Sequence, residues 1–173
     1  DTNLPGLSRQ QIADVLGLTI NGAPFAALPK VASVTKADTA TTTSTSWVDT
    51  GMEVTIDCGL ANSRVLLNAM LTVGGTTGSR VFFRFIRIEG GVVAQGAAAS
   101  NRPQVLGGVT VPNVTSLMTI PLSAIDLPGA AGDVSYKIQW QVAGTGYLNR
   151  TSGDGDDAGG NRAASFLSAM EVT

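Results

Sequence analysis

Apolar and polar residues alternate with a period of two over most of this chain, most cleanly near its end. In DVSYKIQWQV, Val134, Tyr136, Ile138, Trp140 and Val142 fall on one side, and Asp133, Ser135, Lys137, Gln139 and Gln141 on the other. That is the pattern of a strand with one buried face. Residues 53–58 repeat it, with Val54, Ile56 and Cys58 opposite Glu53, Thr55 and Asp57. Further strands are predicted over residues 64–73, 80–88, 92–95 and 114–122, and in the closing run ASFLSAMEV. Pro121 suits a strand end or an edge, because proline cannot donate to a ladder. Glu89-Gly90-Gly91-Val92 reads as a hairpin with a two-residue loop, since its glycines accept positive φ. AAASNRPQVLGGVTVPN reads as a long loop with a weak strand inside it. The whole predicts an all-β fold, a jelly-roll sandwich of about eight antiparallel strands.

Two of these strands are apolar on both sides. RVLLNAMLTV has no polar face, and in RVFFRFIRI Val81, Phe83 and Phe85 oppose Phe82, Arg84, Ile86 and Ile88. One face of such a strand meets the opposite sheet, and the other needs cover of its own. The expectation is an oligomer, with Phe82, Arg84 and Ile86 in its interface.

Residues 1–44 follow another pattern and are expected to form an N-terminal arm ahead of a jelly-roll domain at 45–173. LPGLSRQQIADVLGL predicts one short helix, with Ser8 as N-cap, Gln11 in capping-box position and Gly17 at its end. Pro24 and Pro29 interrupt the segment after it, and the Thr/Ser tract ADTATTTSTS reads as a linker. A two-turn helix and a proline-broken segment cannot build a core alone. Ile12, Val15, Leu16, Ile20, Phe25 and Leu28 are therefore expected to dock elsewhere: on their own domain, a neighbouring subunit or a larger particle.

Charge and composition narrow the chemistry. With 11 basic and 13 acidic residues the net charge is −2, which offers nucleic acid or an anionic membrane no broad attraction. No stretch is long and apolar enough for a membrane helix. Cys58 is the only cysteine and there is no histidine, which removes an intrachain disulfide, thiolate zinc sites and histidine-based catalysis. Folding in a reducing cytoplasm follows, and Cys58 reads as a small core residue. No nucleotide-binding glycine motif occurs, so no cofactor and no enzymatic activity are expected.

One cluster could carry a ligand. Asp154, Asp156 and Asp157 lie in the glycine-rich SGDGDDAGG, where carboxylates can wrap calcium. Counted as an EF-hand loop from Asp154, however, Ala158 and Ser165 occupy ligand positions, so the candidate is weak. A solvated turn latched by Arg150 and Arg162 is the plainer reading. Among the aromatics, Tyr136 and Trp140 read as core, while Trp47 and Tyr147 are either core or a surface that stacks on sugar rings.

SWVDTGMEVTID, SRVLLNAMLTVG, RFIRIEGG, DVSYKIQWQV and GYLNRTSGDGDDAGGNRAASFLSAMEV resemble, in order and spacing, a small β domain of tailed-bacteriophage virion structural proteins, often found at tail-fibre C-termini. The resemblance covers residues 46–173. It implies a trimeric jelly roll of the tumour-necrosis-factor type without enzymatic activity, located in the virion after assembly in the host cytoplasm. The expected partners are the major capsid protein or other virion proteins. Capsid decoration or cementing by an arm-anchored trimer is expected first; a tail-fibre or receptor- or glycan-binding tip is the alternative.

Overall fold

A computed structural model describes residues 19–20, 23–24, 30–154 and 160–172 of the chain. Its strands are β1 (Thr19–Ile20), β2 (Ala23–Pro24), β3 (Val31–Lys36), β4 (Ala40–Thr42), β5 (Val48–Cys58), β6 (Arg64–Gly75) and β7 (Arg80–Arg87), then β8 (Gly91–Val92), β9 (Gly107–Thr110), β10 (Met118–Asp126), β11 (Gly132–Ala143), β12 (Gly146–Leu148) and β13 (Ser165–Val172). All strand pairings are antiparallel; β1 and β2 form a two-stranded sheet of their own, and the other strands form two large sheets, one of six strands and one of five. The predicted all-β sandwich is what forms; no helix occurs among the described residues. The helix expected near Ser8 lies outside them, as do Ile12, Val15, Leu16, Phe25 and Leu28.

Period-two alternation places the core where it was expected. Val54, Ile56 and Cys58 of β5 and Tyr136, Ile138, Trp140 and Val142 of β11 are buried against Val65, Leu67, Leu71 and Val73 of β6. Phe83 stacks on Trp140 with ring centroids 6.3 Å apart. Tyr136 of β11 reaches across to the other sheet, its hydroxyl donating to Asp126 Oδ2 of β10 at 2.9 Å. Arg87 Nη1 holds the same oxygen at 2.7 Å. Burial, with Asp126 beside it, pushes the Tyr136 phenol well above its usual pKa.

Four local expectations are corrected. The Thr/Ser tract is no linker: β3 pairs with β13 from Val31↔Met170 to Lys36↔Ser165, and β4 pairs with β12. Residues 31–42 thus belong to the six-stranded sheet, ahead of the boundary expected at 44/45, because threonine is a good strand former once a partner edge exists. The strand expected at 114–122 runs Met118–Asp126 instead. Asn113 Oδ1 accepts from the Thr115 amide at 3.0 Å and from the Thr115 and Ser116 hydroxyls, turning the chain where a strand was read. Pro121 consequently sits mid-strand opposite Met70, tolerated because β10 has only β6 as a ladder partner. Finally, Arg87 pairs with Gly91, so the β7–β8 loop has one residue more than expected, and Gly91 takes a φ of +89°.

The stretch between β12 and β13 has an unexpected geometry. β12 pairs with Gly75, Gly74 and Val73, and β13 with residues from Met70 to Arg64. Both lie on the same side of β6, since β10 fills the other from Val73 to Val65. They are two halves of one interrupted strand line, and the loop after Asn149 leaves the sheet and returns to it. Arg150 bridges Arg162, and the Ala163 amide donates to Asn149 O at 2.9 Å, closing the neck of the loop.

Candidate functional site

The sandwich presents two outer faces of opposite chemistry. On the five-stranded sheet, side chains pointing away from the core include Asp49, Glu53 and Asp57 of β5, Asp133 and Lys137 of β11, and Arg80 and Arg84 of β7. Lys137 Nζ pairs with Asp49 Oδ2 at 2.8 Å and Gln139 Nε2 donates to Asp49 Oδ1 at 2.8 Å, and these bonds hold the Asp49 carboxyl below its usual pKa. Arg84 donates to Gln139 Oε1 at 3.1 and 2.7 Å and lies 4.3 Å above the Trp47 ring. The outer face of β7, where Phe82, Arg84 and Ile86 were expected to meet another subunit, is thus partly covered by the chain's own Trp47 and Gln139. Phe82 and Arg84 are half-buried and Ile86 is buried.

On the six-stranded sheet the register builds three rows of four residues facing outward. Val31, Met170, Leu66 and Ile125 form one; Ser33, Ser168, Asn68 and Ser123 the next; Thr35, Phe166, Met70 and Pro121 the third. None of these residues is charged. Val31 is 63% exposed, Ile125 57%, Met70 44% and Phe166 39%. At strand spacings of about 4.8 Å and same-face repeats of about 6.8 Å, the rows project roughly 400 Å², the size of the largest apolar patch on many monomers. The double-sided pattern of RVLLNAMLTV marked this face; neighbouring strands complete it through a register that the sequence does not display.

A groove of about 350 Å³ opens at the edge of the five-stranded sheet, lined by Arg80 and Phe82 of β7, Gln141 of β11, Thr45 ahead of β5, and Asn101 and Pro103. Phe82 and Gln141 are cross-strand partners, and the Val142 amide donates to Ser44 O at 2.8 Å, which fixes the segment carrying Thr45. Gln141 is only 8% exposed. Of these residues only Arg80, Phe82 and Gln141 lie in predicted strands, so the composite could not be read before the 93–106 segment was placed.

The acidic cluster is only partly described. Asp154 accepts from Arg162 Nη2 at 2.6 Å and lies 3.9 Å from Arg150 Nε, so both flanking arginines reach it as a latch. Asp156 and Asp157 lie outside the described residues, among which no group of three metal-ligating side chains occurs. Arg150 also stacks 4.0 Å from the Tyr147 ring, so Tyr147 and Trp47, left open between core and surface, each carry an arginine on one face. Cys58 is buried, and burial pushes its thiol pKa up, as suits a core residue.

No protein-family model and no curated protein matches the sequence. Among solved structures, the chain is similar to a chain in the structure of infectious bursal disease virus Gx strain, with 16% identity, a TM-score of 0.40, and coverage of 84% of this chain and 38% of that one. It is also similar to the enzymatically active domain of bacteriophage CBA120 tailspike protein 4, with 14% identity, a TM-score of 0.26, and coverage of 69% and 18%. The CBM4 structure matches at 10% identity and a TM-score of 0.24, over 76% of this chain and 77% of that one. The chain therefore spans well under half of the viral chains it matches, and likenesses at these TM-scores carry no argument about what it does.

Proposed function

We propose that this chain is a structural protein of a bacteriophage virion, a trimer that decorates or cements the capsid and attaches through residues 1–29. The observation that carries the assembly is the uncharged twelve-residue patch on the outer face of the six-stranded sheet, with Arg64 at its margin, beside an opposite face laced with charges. In a three-fold assembly this face meets a different surface of the next subunit. Apolar rows on either side of a Ser/Ser/Asn/Ser row can be buried there without desolvating a fixed charge, and the hydroxyls and the amide both donate and accept. The face projects about half of the ~800 Å² that each partner in a stable complex buries. Val172 and Leu127, 42% and 62% exposed, extend it along one margin. This face replaces the outer side of β7 as the proposed contact between subunits. The phage assignment rests on the sequence resemblance over residues 46–173.

Sedimentation at micromolar concentration tests the assembly. The expected result is a trimer for the native chain and a folded monomer for Met70→Glu/Ile125→Glu; a native monomer would sink the proposal. Deleting residues 1–29 is expected to leave the trimer intact while removing binding to purified capsids, and undiminished binding would remove the arm from the attachment. A tail-fibre or receptor-binding tip is the second reading, favoured by the groove on the sheet opposite the assembly face.

A further inference from the structure

We propose that the groove between β7, the end of β11 and the 93–106 segment is a saccharide-binding site that takes one pyranose ring, preferentially one bearing a carboxylate. Gln141 leads to this conclusion. Its side chain is 8% exposed and lines the groove, yet its amide makes no hydrogen bond within the described residues. No buried side-chain nitrogen or oxygen among the described residues is without a partner, so the amide of this largely buried residue keeps contact with water, and it lines the groove. Asn101 and Arg80 line the same space and likewise have no hydrogen bond or ion pair among the described residues. Arg84 and Lys137 of the same sheet are instead held internally, by Gln139 and Asp49.

The donor and acceptor pattern selects the ligand. Two carboxamides and the Thr45 hydroxyl each offer both a donor and an acceptor, and the Arg80 guanidinium offers donors alone. A phosphate only accepts, so it would leave both amide oxygens facing an anion. Neighbouring sugar hydroxyls donate and accept together, which matches a carboxamide atom for atom. Phe82 and Pro103 supply the apolar surface on which the C–H face of a pyranose can lie, and Arg80 can hold a carboxylate through a bidentate pair. A volume of about 350 Å³ lies at the small end of ligand sites, which suits a single ring with part of a second. The site lies on the sheet opposite the assembly face, so a saccharide could bind the assembled protein. It gives the receptor-tip reading a ligand class and is tested separately from assembly.

Saturation-transfer NMR on the full chain, with glucuronate, methyl α-glucopyranoside and N-acetylglucosamine each at millimolar concentration, tests it. Transfer to the ring protons is expected, strongest for glucuronate. Arg80→Ala and Gln141→Leu are each expected to weaken glucuronate binding about tenfold, with the trimer unchanged by sedimentation. Gln141→Leu should leave the thermal midpoint near that of the native chain, since the amide has no partner among the described residues. No transfer from any of the three sugars overturns the proposal, as does equal transfer in the Arg80→Ala/Gln141→Leu variant. Displacement of glucuronate by inorganic phosphate but not by methyl α-glucopyranoside would mark an anion site at Arg80 and refute the saccharide assignment.

Discussion

Asn149 should be among the most sensitive polar positions in the chain. It is fully buried and adopts a φ of +61°, in the left-handed region. Its Nδ2 donates to Lys36 O at 2.8 Å and Asp38 O at 3.0 Å, while its Oδ1 accepts from Ser165 Oγ at 2.6 Å. Its own amide donates to Thr72 O at 2.8 Å. One side chain thus ties the β3–β4 turn, the β12–β13 break and, through Ser165 Oγ accepting from the Thr72 amide, β6. Asn149→Ala removes three side-chain hydrogen bonds and leaves two carbonyls without their donor, at about 1 to 2 kcal/mol each. Ser165 keeps its bond to Thr72, so its loss is smaller. Alanine also tolerates positive φ less well than asparagine, adding up to about 1 kcal/mol. The expected total is roughly 3 to 5 kcal/mol.

Two further variants separate the causes. Asn149→Gly relieves the backbone but restores no hydrogen bond, so it should recover no more than about 1 kcal/mol of the alanine loss. Asn149→Asp places acceptor oxygens against the Lys36 and Asp38 carbonyls and buries a charge, so at neutral pH it should be worse than alanine. Urea unfolding at constant m-value, at fixed protein concentration, measures all three. If Asn149→Gly were as stable as the native chain, the residue would serve backbone conformation alone, and the argument from hydrogen bonding would fail.

Glu171 is buried and accepts from Ser63 Oγ at 2.5 Å and the Gly59 amide at 2.7 Å, which hold its carboxyl below its usual pKa. Its ionised form therefore stabilises the fold above the unfolded pKa, and that contribution is lost as pH falls through the folded one. Glu171→Gln should cost about 1 to 3 kcal/mol at pH 7, with the gap closing in acid; a gap independent of pH contradicts the charge-based account. Tyr136→Phe should cost about 1 kcal/mol, because Asp126 keeps Arg87 as a partner. Asp126→Ala should cost more, since it leaves a buried phenol unpaired and Arg87 with only the Leu127 carbonyl; equal losses in urea unfolding would show that the bond across the sheets is not shared. A Cβ on Gly146 would meet Val142 Cγ1 at 2.7 Å and Trp140 Cζ3 at 3.3 Å, so Gly146→Ala should cost about 1 to 3 kcal/mol. On Gly74 it would strike the backbone carbonyl of Arg150, which cannot swing away, so Gly74→Ala should unfold at lower urea than Gly146→Ala.

The strands of the core were legible because burial on one face imposes alternation, and Tyr136, Ile138 and Trp140 could face only inward. What failed depended on partners distant in sequence. ADTATTTSTS has the composition of a linker, and only the edge of β12 makes part of it a strand. Asn113 is the local exception: its side chain accepts from Thr115 and Ser116, and this turn outweighs the strand propensity of the same residues. Asn149 carries no local signal, since a buried asparagine in the left-handed region reads like any loop asparagine until Lys36, Asp38 and Ser165 are brought to it. The groove was hidden for the same reason: Thr45, Asn101 and Gln141 lie far apart in the chain.

The acidic loop and the charge-free face acquire a common explanation from the strand line along β6. A direct join between Leu148 and Ser165 would continue β12 into β13 with little interruption. The chain instead leaves the sheet at Asn149 and returns at Ala163, while β13 carries Phe166 and Met170 back onto the uncharged outer face. Carboxylates within that face would be desolvated on self-association at a cost of several kcal/mol each. Carrying Asp154 into an excursion, where Arg150 and Arg162 neutralise it, keeps its charge out of the rows formed by β3, β13, β6 and β10. The arrangement predicts that removing Asp154 alone perturbs neither fold nor assembly by more than about 1 kcal/mol. Placing a carboxylate at Ser168, in the central row, should dissociate the trimer while the monomer stays folded. Sedimentation of Asp154→Ala beside Ser168→Asp makes the comparison; dissociation by the first, or an intact trimer in the second, would overturn the division of charge between loop and face.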